Sequence, residues 1–583
     1  MIQFDDVELS FSGHCVFKDV SFSLQKGERC SFVGRNGSGK STLFKLIAGE
    51  LEADRGAISI SKNYRIGYLN QHIRFTQATI LQEAALGLPE HEREELYRAE
   101  KILFGLGFTE EDLDKSPSEF SGGYHLRLHL AKVLVSEPDC LLLDEPTNYL
   151  DILSIRWLTN FLKRWPGEFI VISHDRDFLD NVSTHTMGIH REKVKKIKGT
   201  TLDFFQLILQ DEELHEKSRV KVEKKRAHMQ SFVDRFGAKA SKAGQAQARV
   251  KMLERVPVLD QLNQISELSF AFQEAPFPGR KMLEASHLQF SYTDEPLIDD
   301  VTLEIEKGER VAIIGKNGRG KSTLLRLLGG DLTPKKGAVE YSDNTRLGYF
   351  GQTHIDRLDT KHTITEEIAL ANHALNFTQV KGIAGAMMFS GALSDKKISV
   401  LSGGEKSRVL LGKIVAKPCN LLLLDEPTHH LDIESIEALI DALEDFSGSV
   451  VMVTHSELIL RRLNLDKIIL CEEARQTLFL GNYDDFLEKV GWGDKASAPK
   501  KSAPEPKKDS IKPVEKEIQA CEKKIASMTE EQKKNEKLLE SGDHSPDLLK
   551  TIDKRQKEIE ELEGKLYELY ELVQRLRDDR DKC

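Results

Sequence analysis

The octapeptides GRNGSGKS (34–41) and GKNGRGKS (315–322) each surround one lysine with glycines and follow it with a hydroxyl. Glycines let backbone N–H groups approach an anion, the lysine adds a point charge, and the hydroxyl is a hard ligand for a divalent cation. Together they suit the phosphates of a nucleoside triphosphate. Each octapeptide follows a short apolar run (30–33, 311–314) and opens a helix-like segment (41–48, 322–328), the strand–loop–helix context that such a cradle needs. Further on, CLLLDEPTNYLD (140–151) and LLLLDEPTHHLD (421–432) read as buried strands ending in two adjacent carboxylates. Asp144 and Asp425 are placed to hold a metal, and Glu145 and Glu426 to polarise an attacking water. His174 in VISHD and His455 in MVTHS close further β-rich runs, where an imidazole can reach the terminal phosphate. A lone histidine at a strand end is usually structural, and Asp-Glu-Pro can simply end a strand. A register shared by both halves decides against the first reading, and the preceding P-loop against the second.

One offset, 281 residues, links Gly34 to Gly315, Gln71 to Gln352, Ser121 to Ser402, Asp144 to Asp425 and His174 to His455. A constant register over a domain's length means a duplicated domain, not a short-period solenoid. The elements that must position these residues therefore occur twice, each a parallel-strand and helix unit. At 583 residues with 39% hydrophobic content the chain is expected to hold roughly three or four domains with ordinary cores. No apolar run approaches the ~20 residues of a membrane span. The start, MIQFDDVELSF, enters a strand-like alternation without a basic-then-apolar leader. The seven cysteines are scattered with no CxxC pair, which favours reduced thiols. The expectation is a cytoplasmic protein with no membrane contact.

FSGGYHLRLHLA (120–131) and LSGGEKSRVLLG (401–412) place Ser-Gly-Gly at the head of a helix, ahead of each metal-binding aspartate. This resembles the signature motif of ATP-binding-cassette ATPases. Two cassettes, no transmembrane segment, EPTNYLD and EPTHHLD after the acidic strand, and a long basic connector resemble the ABC-F family over roughly residues 1–490. The resemblance implies an α/β fold with two P-loop ABC-type nucleotide-binding domains that hydrolyse ATP to ADP and phosphate. The cassettes would sandwich two ATP molecules head to tail. Lys40 and Glu145 would then work with Ser402, Gly403 and Gly404, and Lys321 and Glu426 with Ser121, Gly122 and Gly123. ATP contacts would come from Gly34, Arg35, Asn36, Gly37, Ser38, Gly39, Lys40, Ser41, Thr42 and Gln71, and from Gly315, Lys316, Asn317, Gly318, Arg319, Gly320, Lys321, Ser322, Thr323 and Gln352. Phe11 and Tyr292, also 281 apart, match the adenine-stacking aromatic. Mg2+ would be held by Ser41, Gln71 and Asp144, and by Ser322, Gln352 and Asp425.

Some positions depart from the family pattern. Tyr124 replaces the usual Gln or Glu after Ser-Gly-Gly, with little loss expected. Arg319 stands for a small residue, either adding a phosphate contact or slowing that site. Tyr149, His429 and His430 vary the entrance of the loop before Asp151 and Asp432. Only 50 residues separate Gln71 from Ser121 and Gln352 from Ser402, so the arm that many members insert there is expected to be short or absent.

Between the cassettes, residues 217–255 carry twelve Lys or Arg against Glu223, Asp234 and Glu254, inside a chain of net charge −11. A basic segment kept in an acidic protein suggests a polyanion partner, although a solvated charged helix has the same composition. Without Pro or Gly, 201–236 predicts a helix of roughly 50 Å. A turn between Gly237 and Gly244 and a second helix over 245–254 complete a basic hairpin, with Arg235, Lys239, Lys242, Arg249 and Lys251 as candidate RNA contacts. The resemblance implies the ribosomal tRNA exit site as its target, with rRNA and tRNA as partners.

After Trp492 the chain turns rich in Pro, Ala and Lys, and two heptad runs separated by 542–546 then predict a C-terminal antiparallel coiled coil. The expected domains are thus 1–202 and 281–490 (cassettes), 203–280 (basic helical linker), 491–512 (flexible linker) and 513–583 (coiled coil). The leading expectation is a monomer with intramolecular cassette pairing that binds the ribosome when ATP-closed and modulates translation. The rivals are a DNA- or RNA-associated ATPase acting through the coiled coil, a factor protecting ribosomes from antibiotics, and the ATP-driving subunit of a transporter.

Overall fold

The computed structural model describes residues 1–492, except 12, 13, 36, 70–74, 94, 121, 237–269, 352–354, 356, 390, 429, 430 and 474; for 14, 218, 220 and 223–236 it describes the backbone alone. The expected hairpin tip and second linker helix, the coiled coil, and nearly all of the flexible linker lie outside the described residues.

The first cassette contains β1 (Ile2–Phe11), β2 (His14–Leu24), β3 (Arg29–Val33), β4 (Arg55–Ile60), β5 (Ile66–Leu69), β6 (Cys140–Asp144), β7 (Glu168–Ile172), β8 (His185–His190) and β9 (Lys193–Lys198). The second repeats it with β10 (Lys281–Phe290), β11 (Ile298–Glu306), β12 (Arg310–Gly315), β13 (Lys336–Tyr341), β14 (Leu347–Phe350), β15 (Leu421–Asp425), β16 (Ser449–Val453), β17 (Lys467–Glu472) and β18 (Arg475–Leu480). Each cassette has a six-stranded sheet, ordered β5-β6-β7-β3-β8-β9 and β14-β15-β16-β12-β17-β18. Its strands run parallel except for the antiparallel last one. Beside each lies a three-stranded antiparallel sheet, β2-β1-β4 or β11-β10-β13.

The apolar run CLLLD of β6 is buried throughout, because both faces of its sheet are covered. Leu141 and Leu143 join the core under the helices Leu96–Gly105 and Gly122–Val135. Cys140 and Leu142 instead face the small sheet and the helix Lys40–Ile47. The second cassette splits Leu422 and Leu424 from Leu421 and Leu423 in the same way. Such a sheet delivers its working residues to the C-terminal strand ends, where the P-loops and acidic pairs sit.

The P-loop helices start at Lys40 and Lys321, and the preceding Gly39 and Gly320 are left-handed, at φ 103° and 85°. A Cβ at Gly39 would also lie 2.5 Å from Val16. Glycine is required there on both counts.

The predicted linker helix forms as Thr201–Phe236, 36 residues. Its first turns are docked on the first cassette: Phe204 and Ile208 are buried, Thr201 bonds Asp180, and Asp211 and Glu212 pair with Lys195 and Arg191. On the far side Phe272 and Phe277 are buried in the cores of the second cassette. Between Gln71 and Ser121 the described helices are short, chiefly Ile80–Ala85 and Leu96–Gly105.

Candidate active site

The backbone turn from Asp144 to Glu145 places two carboxylates at the end of β6. Glu145 adopts φ 52°, and its N–H donates to Ile172 O of β7 at 2.9 Å; Glu426 repeats this with φ 47° and Val453 O. The turn aims Asp144 back at the P-loop, where Ser41 Oγ donates to its Oδ2 at 2.7 Å, and Ser322 donates to Asp425 at 3.0 Å. A hydroxyl and a carboxylate side by side are hard oxygen donors, the set with which Mg2+ is held when phosphates and waters complete its shell. These residues fit the cation.

The lysines fold onto their own loops. Lys40 Nζ donates to Gly34 O and Arg35 O at 2.7 and 3.0 Å, and Lys321 Nζ to Gly315 O and Lys316 O at 3.0 and 2.9 Å. Burial pushes both ammonium groups down from their ordinary value. Burial pushes the Glu145 and Glu426 carboxyls well up, and Asp144 and Asp425 beside them push the same way. His174 Nε2 stands 3.2 Å from Glu145 Oε1, and His455 Nε2 stands 3.4 Å from Glu426 Oε1. In each cassette, then, lysine, metal-type oxygens, carboxylate and imidazole converge where a terminal phosphate and its water would meet.

The second site is composite. A cavity of about 720 Å³ is lined by Asn317, Gly318, Gly320, Lys321, Ser322 and Thr323 of the second P-loop, by Tyr292, Asp425, Glu426 and His455, and by Gly123, Tyr124 and Arg127 of the first cassette. Its volume suits a nucleotide. Asp151 Oδ2 accepts from Asn317 N at 3.2 Å, and Tyr149 O from Asn317 Nδ2 at 2.8 Å, so the first cassette's loop grips the second P-loop. At the other site, Asp432 lies near enough to Lys40 for its charge to act on the ammonium, and Ser402 caps the signature helix by accepting from Glu405 N.

Tyr292 is 61% exposed and Phe11 44%, so neither is a core residue. Tyr292 lines the cavity and packs edge-on against Phe290. Arg319 places Nη1 2.5 Å from Glu473 Oε1. Tyr124 packs against Phe108 and Phe120 and stacks under Arg127. Asn36, Gln71, Ser121, Gln352, His429 and His430 lie outside the described residues, as do Lys239, Lys242, Arg249, Lys251 and the Arg235 side chain.

Sequence reasoning missed Arg127. It is 2% exposed and donates to Leu106 O and Tyr149 O, bracing the loop that holds Asn317. Its signal was available, since Arg408 follows it by 281 in the second signature helix. A cleft of about 980 Å³ on the first cassette, lined by Tyr97, Trp157 and Trp165, contains none of the expected site residues.

A family model described as "ABC transporter" matches residues 17–148 and 298–429, and a second of the same description matches 187–272. The probable ATP-binding protein YbiT of Escherichia coli O157:H7 is 35% identical over 84% of this chain and 100% of its own length. The ATP-binding cassette sub-family F member 3 of Rattus norvegicus is 33% identical over 83% of this chain and 73% of its own. The chain belongs to the ABC-F family. It is an ATPase with two ATP-binding cassettes, and no described helix is long and apolar enough to cross a membrane. Among ABC-F relatives, YheS of Escherichia coli K12 is 32% identical over 87% of this chain and 84% of its own. In fold, the chain is similar to the structure titled RNase-L Inhibitor (TM-score 0.58, 19% identity, 84% of this chain and 93% of that one). It is equally similar to an archaeal ribosome recycling factor solved with a ribosomal stalk protein (TM-score 0.58, 18% identity, 88% of this chain and 98% of that one).

Proposed function

We propose that this ABC-F ATPase is a cytoplasmic protein that binds the ribosome when closed on two ATP molecules, acts on translation, and is released by hydrolysis. The observation that carries the reading is the anchoring of the basic linker at both ends. Phe204 and Ile208 fix its entry to the first cassette, and Phe272 and Phe277 fix its return to the second. Closure of the cassettes thus sets where the basic stretch is held. Arg235, Lys239, Lys242, Arg249 and Lys251 then meet RNA phosphate, in rRNA and in tRNA near the exit site. Two tandem-cassette proteins of the same fold bear titles that include ribosome-bound ABCE1 and a ribosome recycling factor, which supports the same class of partner.

In each site the lysine and P-loop amides hold the phosphates, Phe11 or Tyr292 stacks on the adenine, and Ser41 with Asp144, or Ser322 with Asp425, holds Mg2+. Gln71 and Gln352 extend those metal sets. When bound there, Mg2+ would supply neutralisation of phosphate charge. The raised carboxyls of Glu145 and Glu426 are suited to take a proton from water, with His174 and His455 beside them. Glu145→Gln with Glu426→Gln should hold the closed form on ribosomes, so that the variant sediments with them in ATP. If it stays in the supernatant, the ribosome reading fails.

A further inference from the structure

Among the described residues three ion pairs cross between the cassettes, and all have the same polarity. Arg35 Nη2 lies 2.6 Å from Glu434 Oε2, Arg156 Nε 2.5 Å from Glu457 Oε1, and Arg176 Nη1 2.7 Å from Glu437 Oε1. Every cation belongs to the first cassette and every anion to the second.

The 281-residue register relates two of these pairs. Glu437 occupies the position of Arg156, and Glu457 that of Arg176. The contacts Arg156 to Glu457 and Arg176 to Glu437 are therefore two copies of one contact, exchanged by the pseudo-two-fold relation of the cassettes, with the sign of one whole cassette reversed. The same surface carries an apolar contact with no such sign. Ile152 and Ile433, also equivalent, are each buried in the core of the opposite cassette. That exchange holds any two cassettes together but cannot tell them apart. The charges can. Two first cassettes docked in this way would set Arg156 against Arg176 twice, and two second cassettes would set Glu437 against Glu457 twice.

We propose that Arg156, Arg176, Glu437 and Glu457 form a charge code that selects the pairing partner, accepting the opposite cassette of the same chain and rejecting the like cassette of a second copy. The side chains are 24–34% exposed, so each pair adds little affinity. Like charges at such a contact nevertheless suppress wrong partners, and that is their larger effect. The linker already raises the local concentration of the correct cassette. The code acts whenever the cassettes open and could re-close on a neighbour. Arg461 and Arg462 of the second cassette also reach Glu457 and Glu437, at 3.6 and 2.9 Å, and Asp177 of the first cassette stands among the same charges, so both like pairings are partly offset. None of this depends on the ribosome reading.

The test uses full-length chains. Arg156→Glu with Arg176→Glu makes all four positions acidic, and Glu437→Arg with Glu457→Arg makes all four basic. Each double variant should lose about tenfold in ATPase rate at low salt, partly recovered as salt screens the repulsion. The quadruple variant, with the code inverted, should return to within about twofold of the original rate. An equimolar mixture of the two doubles with ATP should reach twice the single-chain mass in light scattering, while the original protein keeps the mass of one chain. Thermal melting identifies a misfolded double, and the quadruple variant then still decides. Original rates in well-folded doubles, a quadruple variant as slow as the doubles, or a mixture that stays at single-chain mass would each overturn the proposal.

Discussion

The two cassettes superimpose in chemistry and differ where they meet. Inside each, the P-loop lysine, the Ser–Asp oxygen pair and the Glu–His pair keep the same partners to within a few tenths of an ångström. Outside that kernel the register breaks repeatedly: Ser38 against Arg319, Phe11 against Tyr292, Tyr124 against Glu405, Arg156 against Glu437. Duplication preserved this kernel and released the surfaces around it. The strongest way to break this comparison is therefore to treat the kernels separately. Glu145→Gln and Glu426→Gln should each stop turnover at one site, and the double variant should lose about 10²- to 10⁴-fold in ATP hydrolysis. A double variant that retains half the original rate in a phosphate-release assay would show that neither carboxylate activates water.

A smaller effect should separate the adenine ends. Tyr292 lines the composite cavity, whereas Phe11 is the last residue of β1. Tyr292→Ala should weaken ATP binding at the second site by about tenfold, as the loss of one base–aromatic stack implies, and Phe11→Ala should do the same at the first. Binding of a fluorescent ATP analogue, in Lys40→Ala and Lys321→Ala backgrounds that leave one site each, reads the two apart. Equal loss at both sites would extend the shared kernel to the adenine, while loss only for Tyr292 would confine it to the phosphates.

How much of this was legible in the sequence follows from range. The P-loops, acidic strands and linker helix are local patterns, and each stands where its periodicity or spacing placed it: Lys40 and Lys321 open helices, Asp144 and Asp425 end buried strands, and Thr201–Phe236 is one helix. The cross-cassette geometry was not legible in detail, because Arg156 and Glu457 are 301 residues apart and neither sits in a motif. Arg127 was missed for a different reason: a charged residue on a helix reads as solvated, and only its burial against Leu106 O and Tyr149 O reveals it as a brace. Phe272 and Phe277 show the limit of composition for placing boundaries, since they follow a basic stretch yet pack into the second cassette.

The smallest effect concerns Arg319, whose charge inside a P-loop suggested either a phosphate contact or a slowed site. Its guanidinium pairs with Glu473, which is 81% exposed at the turn between β17 and β18. An ion pair that exposed contributes less than about 1 kcal/mol, so the arginine is lightly tethered. Arg319→Ser, which copies Ser38 of the first loop, should therefore change the melting temperature little and ATP affinity at the second site by less than about threefold. Glu473→Gln should act in the opposite direction, because it frees a cation beside the phosphates. In the Lys40→Ala background it should tighten ATP binding at low salt and lose that gain as ionic strength rises. If Glu473→Gln is silent while Arg319→Ser weakens binding more than about tenfold, the arginine already reaches the nucleotide and the tether to Glu473 does not hold it away.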